Sequence, residues 1–314
     1  MRKFFTTSDN RGNYECEKYY PERAVNSDLI SNLCRSGSGD SALHVAAQHG
    51  RIRILKYLVE TTGSAVDIRN HDRKTPLHDA AQFSQYGCVE YLLQNGADVN
   101  AVKKADWTPL MLACTKLNIE VVSILLTHGA DPLFRNKDGW NSFHLATREG
   151  SVKILDLLLD NCPISSPELQ QLVNSRSRNG RKPLHTAAMH GHLAVVEYLL
   201  QKEFTDVDDT DNCGTTPLMD AVRSGSTEIV DLLVMKYGAK TMCTNKTGYN
   251  CLHVAAEVGN SNMILHLIQN YGFDAKLPVL NGSVTALQIA EKEKQYSVTT
   301  MLQSIISNGL IGKN

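Results

Sequence analysis

The sequence lacks the features that mark a membrane, secreted or zinc-binding protein. No apolar run approaches the roughly 18 residues of a membrane-spanning helix, and the basic start MRKFF is not followed by the apolar stretch of a secretory signal. The eight cysteines form no C-x-x-C pair, which argues against a disulfide framework or a zinc site. These absences predict a protein inside the cell, in the cytoplasm with the nucleus as a second option, and predict no metal or other cofactor.

Net charge and catalytic motifs are also nearly absent. Lys plus Arg (32) almost cancel Asp plus Glu (33), so the chain as a whole does not attract nucleic acid or an anionic membrane. No Walker loop, G-x-S-x-G nucleophile elbow, H-E-x-x-H zinc motif or calcium loop occurs. We therefore expect neither an enzyme nor a nucleic-acid or membrane partner. Any electrostatic partner must meet a local patch.

What the sequence does contain is one four-residue phrase in eight copies, such as TPLH. The copies end at His44, His78, Met111, His144, His185, Met219, His253 and Gln288. The threonine of the phrase suits a helix N-cap, and its proline suits the first helical position. A period near 33 residues with T-P-L-H is the signature of the ankyrin repeat. The sequence therefore resembles that family, and the resemblance implies an all-α solenoid of about eight stacked helix pairs with hairpin-like tips.

Five of the phrases end in histidine, which is the commonest metal ligand. Residues one repeat apart in stacked helices lie about 8 to 10 Å apart, which is too far for them to share one ion. We therefore interpret His44, His78, His144, His185 and His253 as structural.

The repeat divides the chain into three parts. Residues 39–305 form the predicted ankyrin-repeat domain, residues 1–38 a segment with a candidate capping helix in NSDLISNLC, and residues 306–314 a C-terminal tail. The step from His144 to His185 is 41 residues, so about eight extra residues lie within CPISSPELQQLVNSRSRNG. Long solenoid loops are often functional, but an insertion that the fold simply tolerates is the favoured interpretation.

Two columns of equivalent residues give the predicted tips an unusual composition. Lys104 and Lys137 lie seven residues before the ends of their phrases, and Trp107 and Trp140, the only two tryptophans, lie four residues before them. A basic strip with two exposed indoles is a candidate binding surface, since Trp and Arg dominate protein–protein anchors. For any one of these residues alone, a solvated charge or a common repeat variant is the simpler interpretation. The candidate partner-binding residues are Lys74, Lys103, Trp107, Arg135, Trp140, Arg148, Arg178, Arg181, Met189 and His190.

Several blocks are more specific than the repeat. KKADWTPLM, HGADPLFRNKDGWNSFH, KPLHTAAMHGHL and DNCGTTPLMDA resemble the ankyrin repeat domain-containing protein 16 family, vertebrate cofactors of alanyl-tRNA synthetase. The close resemblance covers about residues 71–221. It implies a protein that binds the catalytic domain of alanyl-tRNA synthetase and accepts wrongly activated serine, from the adenylate, on lysine side chains. We expect a monomer.

The resemblance also implies which lysines accept serine. The family's acceptors fall on Lys104 and Lys137, whereas a third, a few residues after a Cys-Pro pair, has no counterpart in CPISSPE. An amine attacks only when neutral, and an unperturbed lysine is about 0.1% neutral at pH 7.4. Proximity to the adenylate must therefore supply most of the rate. A generic ankyrin scaffold with another acidic client is the alternative.

Overall fold

The computed structural model describes residues 37–162, 167–279, 282 and 284–308. Within these ranges the chain forms seventeen α-helices and no strand. The all-α fold class predicted from the sequence is therefore confirmed. The candidate capping helix in NSDLISNLC lies outside the described residues.

The helices alternate between an inner and an outer row. The inner helices are α1 (Ala42–Gln48), α3 (Pro76–Gln82), α5 (Pro109–Thr115), α7 (Ser142–Arg148), α10 (Pro183–Met189), α12 (Pro217–Ser224), α14 (Cys251–Val258) and α16 (Ala286–Lys292). The outer helices are α2 (Ile52–Glu60), α4 (Tyr86–Gln94), α6 (Ile119–Thr127), α8 (Val152–Asp160), α11 (Leu193–Gln201), α13 (Thr227–Asp231), α15 (Ser261–Tyr271) and α17 (Tyr296–Asn308). One further helix, α9 (Pro167–Asn174), lies between the fourth and fifth pairs.

Each inner helix starts where the phrase predicts, and in five of the eight the N-cap side chain accepts a hydrogen bond from a backbone N–H. The hydroxyl of Thr108 accepts from the N–H of Met111 at 3.3 Å, and the Asn141 amide oxygen accepts from the N–H of His144 at 3.0 Å. Consecutive inner helices pack against each other along the whole row. Fully buried small residues such as Ala80 and Ala187 let these helices approach closely. One hydrophobic core therefore runs through the array.

Each buried histidine joins its own repeat to the next one. In the second repeat, the N–H of Thr75 donates to Nδ1 of His78 at 3.2 Å, and Nε2–H donates to the Trp107 carbonyl of the following tip at 3.0 Å. The same two bonds recur at His44, His185 and His253. With both ring nitrogens engaged, these histidines have the structural role expected from their spacing.

The insertion after the fourth repeat folds as a helix. Helix α9 buries Leu169, Leu172 and Val173, and the side-chain amide of Asn141 donates to the Leu172 carbonyl at 3.0 Å. The insertion therefore contributes apolar side chains to the common core. The described part of the insertion, helix α9, is therefore integrated into the fold.

The sixth outer helix absorbs one extra residue. The run from Ile229 to Ala239 is one residue longer than the corresponding run from Val121 to Ala130. Helix α13 therefore continues as a π-helical turn over Leu232–Lys236. Both alanines remain buried, so the stacking register is preserved beyond the extra residue.

The last helix extends past the predicted end of the array. Helix α17 ends at Asn308, three residues beyond the predicted boundary at 305 and inside the predicted tail. In the part of the chain that the structure describes, no helix is both long and apolar enough to cross a membrane.

Candidate functional site

Neighbouring tips are joined by a ladder of backbone hydrogen bonds. The N–H of Lys104 donates to the carbonyl of Asp72 at 2.7 Å, and the N–H of Lys137 donates to the carbonyl of Ala105 at 3.0 Å. The same bond recurs from Arg178 to Asp138, from Asn212 to Asn179 and from Lys246 to Cys213. Because each bond uses the same position in its repeat, these donors form the single column that their spacing predicts.

The two candidate acceptor lysines lie on adjacent rungs of this ladder. Lys104 has 76% of its side chain exposed, and its Nζ lies 3.4 Å from the Asp72 carboxylate. Lys137 is also exposed, and it takes part in none of the ion pairs that the described residues form. Both amines are therefore accessible to a partner that lies against the tips.

The tip that carries Lys104 is strained. Ala105 and Asp106 both have a left-handed backbone conformation, with φ of 63° and 60°. In the next tip the residue equivalent to Asp106 is Gly139, which adopts φ of 77° without a steric penalty. Two consecutive non-glycine residues in this region are unusual, and such strain often occurs at functional sites.

The two tryptophans are half-buried rather than exposed, which corrects the expectation from the sequence. Both rings pack against the hydrophobic core, so part of each indole has a structural role. The Lys103 ammonium lies 5.9 Å from the Trp107 ring centre, and the Arg148 guanidinium lies 5.7 Å from the Trp140 ring centre. Each indole ring therefore already has a cation of this chain close to one of its faces.

A shallow open pocket of about 290 Å³ separates the two indoles. Its apolar side consists of Trp107, Trp140 and Leu145. Arg178 supplies positive charge, whereas the guanidinium of Arg148 is paired with the Glu149 carboxylate at 2.6 Å. Asn136, Asp138 and Asn179 complete the lining. These last three and Leu145 were not among the candidates from the sequence, although each neighbours a predicted tip or inner-helix residue. The pocket suits a partner side chain that combines an apolar body with an acidic end.

Three of the predicted partner-binding cations form ion pairs within the chain, and one of them is Arg148, which pairs with Glu149 at 2.6 Å. Lys74 pairs with Asp79, and Arg181 pairs with Asp220 at 2.8 Å and with Asp211 at 3.4 Å. Burial raises the pKa of Asp79 to about 6 and that of Asp220 to about 7, although the cations oppose the shift. The sequence signal was an acidic residue directly after the phrase, where most other repeats have an apolar one. The basic strip is therefore narrower than predicted.

The other candidates border the pocket or the tips. Arg135 is exposed, and its Nε–H donates to the Gly139 carbonyl at 3.0 Å within the fourth tip. Met189 is half-buried at the end of α10. His190 is exposed and stacks on His192, with ring centres 6.2 Å apart. These three residues extend the candidate surface around the fourth and fifth repeats.

One group of three side chains in the described residues could resemble a metal site. Ligand atoms of Asp40, His44 and Asp79 all lie within 4.8 Å of one another. However, Nδ1 of His44 accepts from the Ser41 N–H at 3.2 Å, and Nε2–H donates to the Lys74 carbonyl at 2.7 Å. Lys74 also supplies a positive charge to Asp79. The group is a hydrogen-bonded ionic cluster that joins the first two repeats.

The helix pairs, the linked tips and the continuous inner row define a repeat solenoid, a class that binds protein partners on its concave surface. A family model described as ankyrin repeats in three copies matches residues 10–103, 99–170 and 165–245. A second model, described as ankyrin repeats in many copies, matches residues 240–290. The chain belongs to the ankyrin-repeat family.

Known proteins resemble this chain through the repeats. The crystal structure of the human ASB11 ankyrin repeat domain matches with a TM-score of 0.61 and 28% identity, covering 73% of this chain and 97% of that one. NF-kappa-B inhibitor alpha of Mus musculus is 32% identical over 165 residues, which are 52% of this chain and 41% of that protein. Alpha-latrocrustotoxin-Lt1a of Latrodectus tredecimguttatus is 39% identical over 95 residues, 28% of this chain but only 7% of the toxin. The chain thus spans less than half the length of either curated relative.

Proposed function

We propose that this chain is an ankyrin-repeat cofactor of alanyl-tRNA synthetase that captures misactivated serine on Lys104 and Lys137. The resemblance of KKADWTPLM and NKDGWNSFH to the ankyrin repeat domain-containing protein 16 family carries the proposal. The tip geometry supports it, since both lysines are accessible on adjacent rungs of one ladder. The proposed protein acts as a monomer on the synthetase catalytic domain, in the cytoplasm with the nucleus as a second location. It needs no cofactor.

The proposed capture is an acyl transfer that consumes the acceptor. The neutral amine of Lys104 or Lys137 attacks the acyl carbon of the seryl adenylate, and a C–N bond forms. The bond between the acyl carbon and the phosphate oxygen breaks, AMP leaves with the electron pair, and the amine proton passes to solvent. The adenylate is already activated, so holding the tip beside it supplies the main rate advantage. Because CPISSPE offers no third lysine, the proposed capacity is two serines per molecule.

Mass spectrometry of the protein after incubation with alanyl-tRNA synthetase, alanine tRNA, ATP and serine tests this proposal. We expect seryl adducts on Lys104 and Lys137, and far fewer adducts when alanine replaces serine, because correctly activated alanine passes to tRNA. Arginine keeps the positive charge but is not a neutral nucleophile at this pH. The Lys104→Arg, Lys137→Arg double variant should therefore still bind the synthetase and lose the adducts.

Lys246 provides an internal control, because it is an exposed lysine in the same column of the ladder. It lies three repeats from Lys137, outside the blocks that resemble the cofactor family. Directed capture requires Lys246 to remain unmodified. Equal labelling of Lys246, Lys104 and Lys137 would indicate random acylation by released adenylate and would contradict the proposal.

A scaffold for a different acidic client is the second candidate function. The pocket between the two indoles favours it, because the exposed Arg178 could hold a carboxylate without any lysine chemistry. Affinity purification from a lysate, followed by mass spectrometry, separates the two candidates. Recovery of an acidic protein in place of alanyl-tRNA synthetase, through a contact that Arg178→Glu abolishes, would favour the scaffold.

A further inference from the structure

Two lysines lie against aromatic rings between repeats two and three. Nζ of Lys74 lies 5.9 Å from the centre of the Phe83 ring, and Nζ of Lys103 lies 5.9 Å from the centre of the Trp107 ring. The N–H of Lys103 donates to the Trp107 carbonyl at 3.0 Å, which fixes the lysine beside the indole. Lys103 is half-buried as a result, whereas the next residue, Lys104, is exposed.

The surroundings of Lys103 favour its neutral amine. Burial lowers the pKa of Lys103, and the charge of Lys74 lowers it further, while the Asp72 and Asp79 carboxylates act in the opposite direction. The Lys74 ammonium is held in place by its ion pair with Asp79. Desolvation and a neighbouring cationic group are the two common ways to activate a lysine nucleophile. The cation–π contact with Trp107 opposes them weakly, since 5.9 Å is close to the limit of about 6 Å for that interaction.

We propose that Lys103 is an acyl-acceptor site for activated carboxyl donors, namely acyl adenylates and acyl phosphates. The neutral Nζ attacks the carbonyl carbon and forms an amide bond. The bond between that carbon and the phosphate oxygen breaks, the phosphate leaves with the electron pair, and the amine proton passes to solvent. The exposed neighbouring cation Lys104 attracts such anionic donors. Only the identity of the donor in the cell, a seryl adenylate held by the synthetase, rests on the proposed function.

The experiment uses the whole chain, without synthetase, and acetyl phosphate as the donor. The rate of acetylation at Lys103, Lys104, Lys137 and Lys246 is followed by mass spectrometry, with fragment ions that separate Lys103 from Lys104. At pH 7.4 we expect Lys103 to be acetylated more than about threefold faster than Lys246, because its amine is desolvated and lies beside a fixed cation. The rate at Lys103 should also level off at a lower pH than the rate at Lys246.

Trp107→Ala tests the cause, because it exposes Lys103 to water and should reduce its rate to that of Lys246. Tyr249→Ala is the matched control, since Tyr249 occupies the same column and packs on His253 as Trp140 packs on His144. It should leave the Lys103 rate unchanged. Equal rates at Lys103 and Lys246 in the unsubstituted protein would overturn the inference, and this comparison requires no variant to fold. A synthetase that fails to bind would contradict the proposed function and leave this result intact.

Discussion

At the scale of single residues, burial determines the protonation of the histidines that join the repeats. Burial lowers the pKa of His78 to about 3 and the pKa values of His144 and His185 to about 4. A neutral ring can accept at one nitrogen and donate at the other, which the link between repeats requires. Met111 and Met219 fill the same buried position in two other repeats, so the fold tolerates the loss of this link.

Replacement of His78 by methionine should make stability less dependent on pH. The unfolded chain binds a proton at His78 below pH of about 6.5, whereas the folded chain resists it, so this residue removes stability as the pH falls. We expect His78→Met to lose about 2 kcal/mol at neutral pH with its two hydrogen bonds. Between about pH 6 and 4 the free energy of unfolding of the variant should fall less steeply than that of the wild type, and the two slopes should differ by about 1 kcal/mol per pH unit.

Urea unfolding of both proteins across this pH range measures the difference. The raised pKa of Asp79 gives a contribution of opposite sign, because stability that depends on its protonated form is lost as the pH rises through about 6. That contribution is present in both proteins and cancels. An unchanged pH slope in His78→Met would show that the folded state protonates His78 normally.

Arg178 and Arg181 lie three positions apart but should respond in opposite ways to substitution. Arg178 is exposed and lines the pocket, so Arg178→Gln should weaken binding of the protein partner and leave the melting temperature unchanged. Arg181→Gln leaves Asp220 and Asp211 without their cation and should cost about 3 kcal/mol of stability. Uptake of a proton by Asp220 limits that cost. Isothermal titration and thermal unfolding of both variants give the comparison, and equal melting temperatures would contradict the internal role of Arg181.

At the scale of secondary structure, most elements could be predicted from the phrase, because N-cap and proline signals act locally. Helix α9 was not predicted, because it lies in an insertion that does not follow the 33-residue repeat. The sequence SSPELQQLVN has a proline suited to the first turn and apolar residues at Leu169, Leu172 and Val173, which is the spacing of an amphipathic helix. The half-burial of the two indoles could not be predicted, because it depends on how the neighbouring tips pack.

Glycine should relieve the strain in the third tip. Ala105 has φ of 63°, where a Cβ atom costs about 1 kcal/mol. We expect Ala105→Gly to raise the free energy of unfolding by up to about 1 kcal/mol, less the extra flexibility of glycine in the unfolded chain. The control in the next tip is Gly139→Ala, at the position equivalent to Asp106, because it introduces a Cβ atom at a residue with φ of 77°. Its Cβ would lie 2.9 Å from the Arg178 backbone nitrogen, so it should destabilise the protein.

Chemical denaturation of the two variants measures both changes in the free energy of unfolding, the expected increase for Ala105→Gly and the expected decrease for Gly139→Ala. A destabilised Ala105→Gly protein would mean that the left-handed conformation is not the source of strain. If the variant is more stable but accepts less serine at Lys104, the strained turn contributes to the position of that lysine.

At the scale of the whole molecule, contacts between neighbouring repeats distribute stability along the array. Three tyrosines on the outer helices each donate to a carboxylate of the preceding repeat. These bonds are Tyr91 to Glu60 at 2.9 Å, Tyr198 to Asp156 at 2.5 Å and Tyr271 to Asp231 at 2.5 Å. Burial and, secondly, these bonds raise the pKa of Tyr91 to about 12 and raise the pKa values of Tyr198 and Tyr271 as well. The hydroxyl protons of these tyrosines therefore help to hold neighbouring outer helices together.

The simultaneous substitutions Tyr91→Phe, Tyr198→Phe and Tyr271→Phe should show this at high pH. Each lost bond removes about 1 kcal/mol at pH 8, or about 3 kcal/mol in total. Above pH of about 10 an unfolded tyrosine loses its proton, whereas these folded tyrosines keep theirs, so the wild-type chain loses stability as the pH rises toward about 12. The triple variant should lose less stability over that interval.

The control is Tyr296→Phe, at a side chain that is 76% exposed, and it should change neither the stability at pH 8 nor the alkaline slope. Urea unfolding between pH 8 and 11 measures both effects, and an identical alkaline slope in the triple variant would show that these tyrosines do not hold their protons in the folded array.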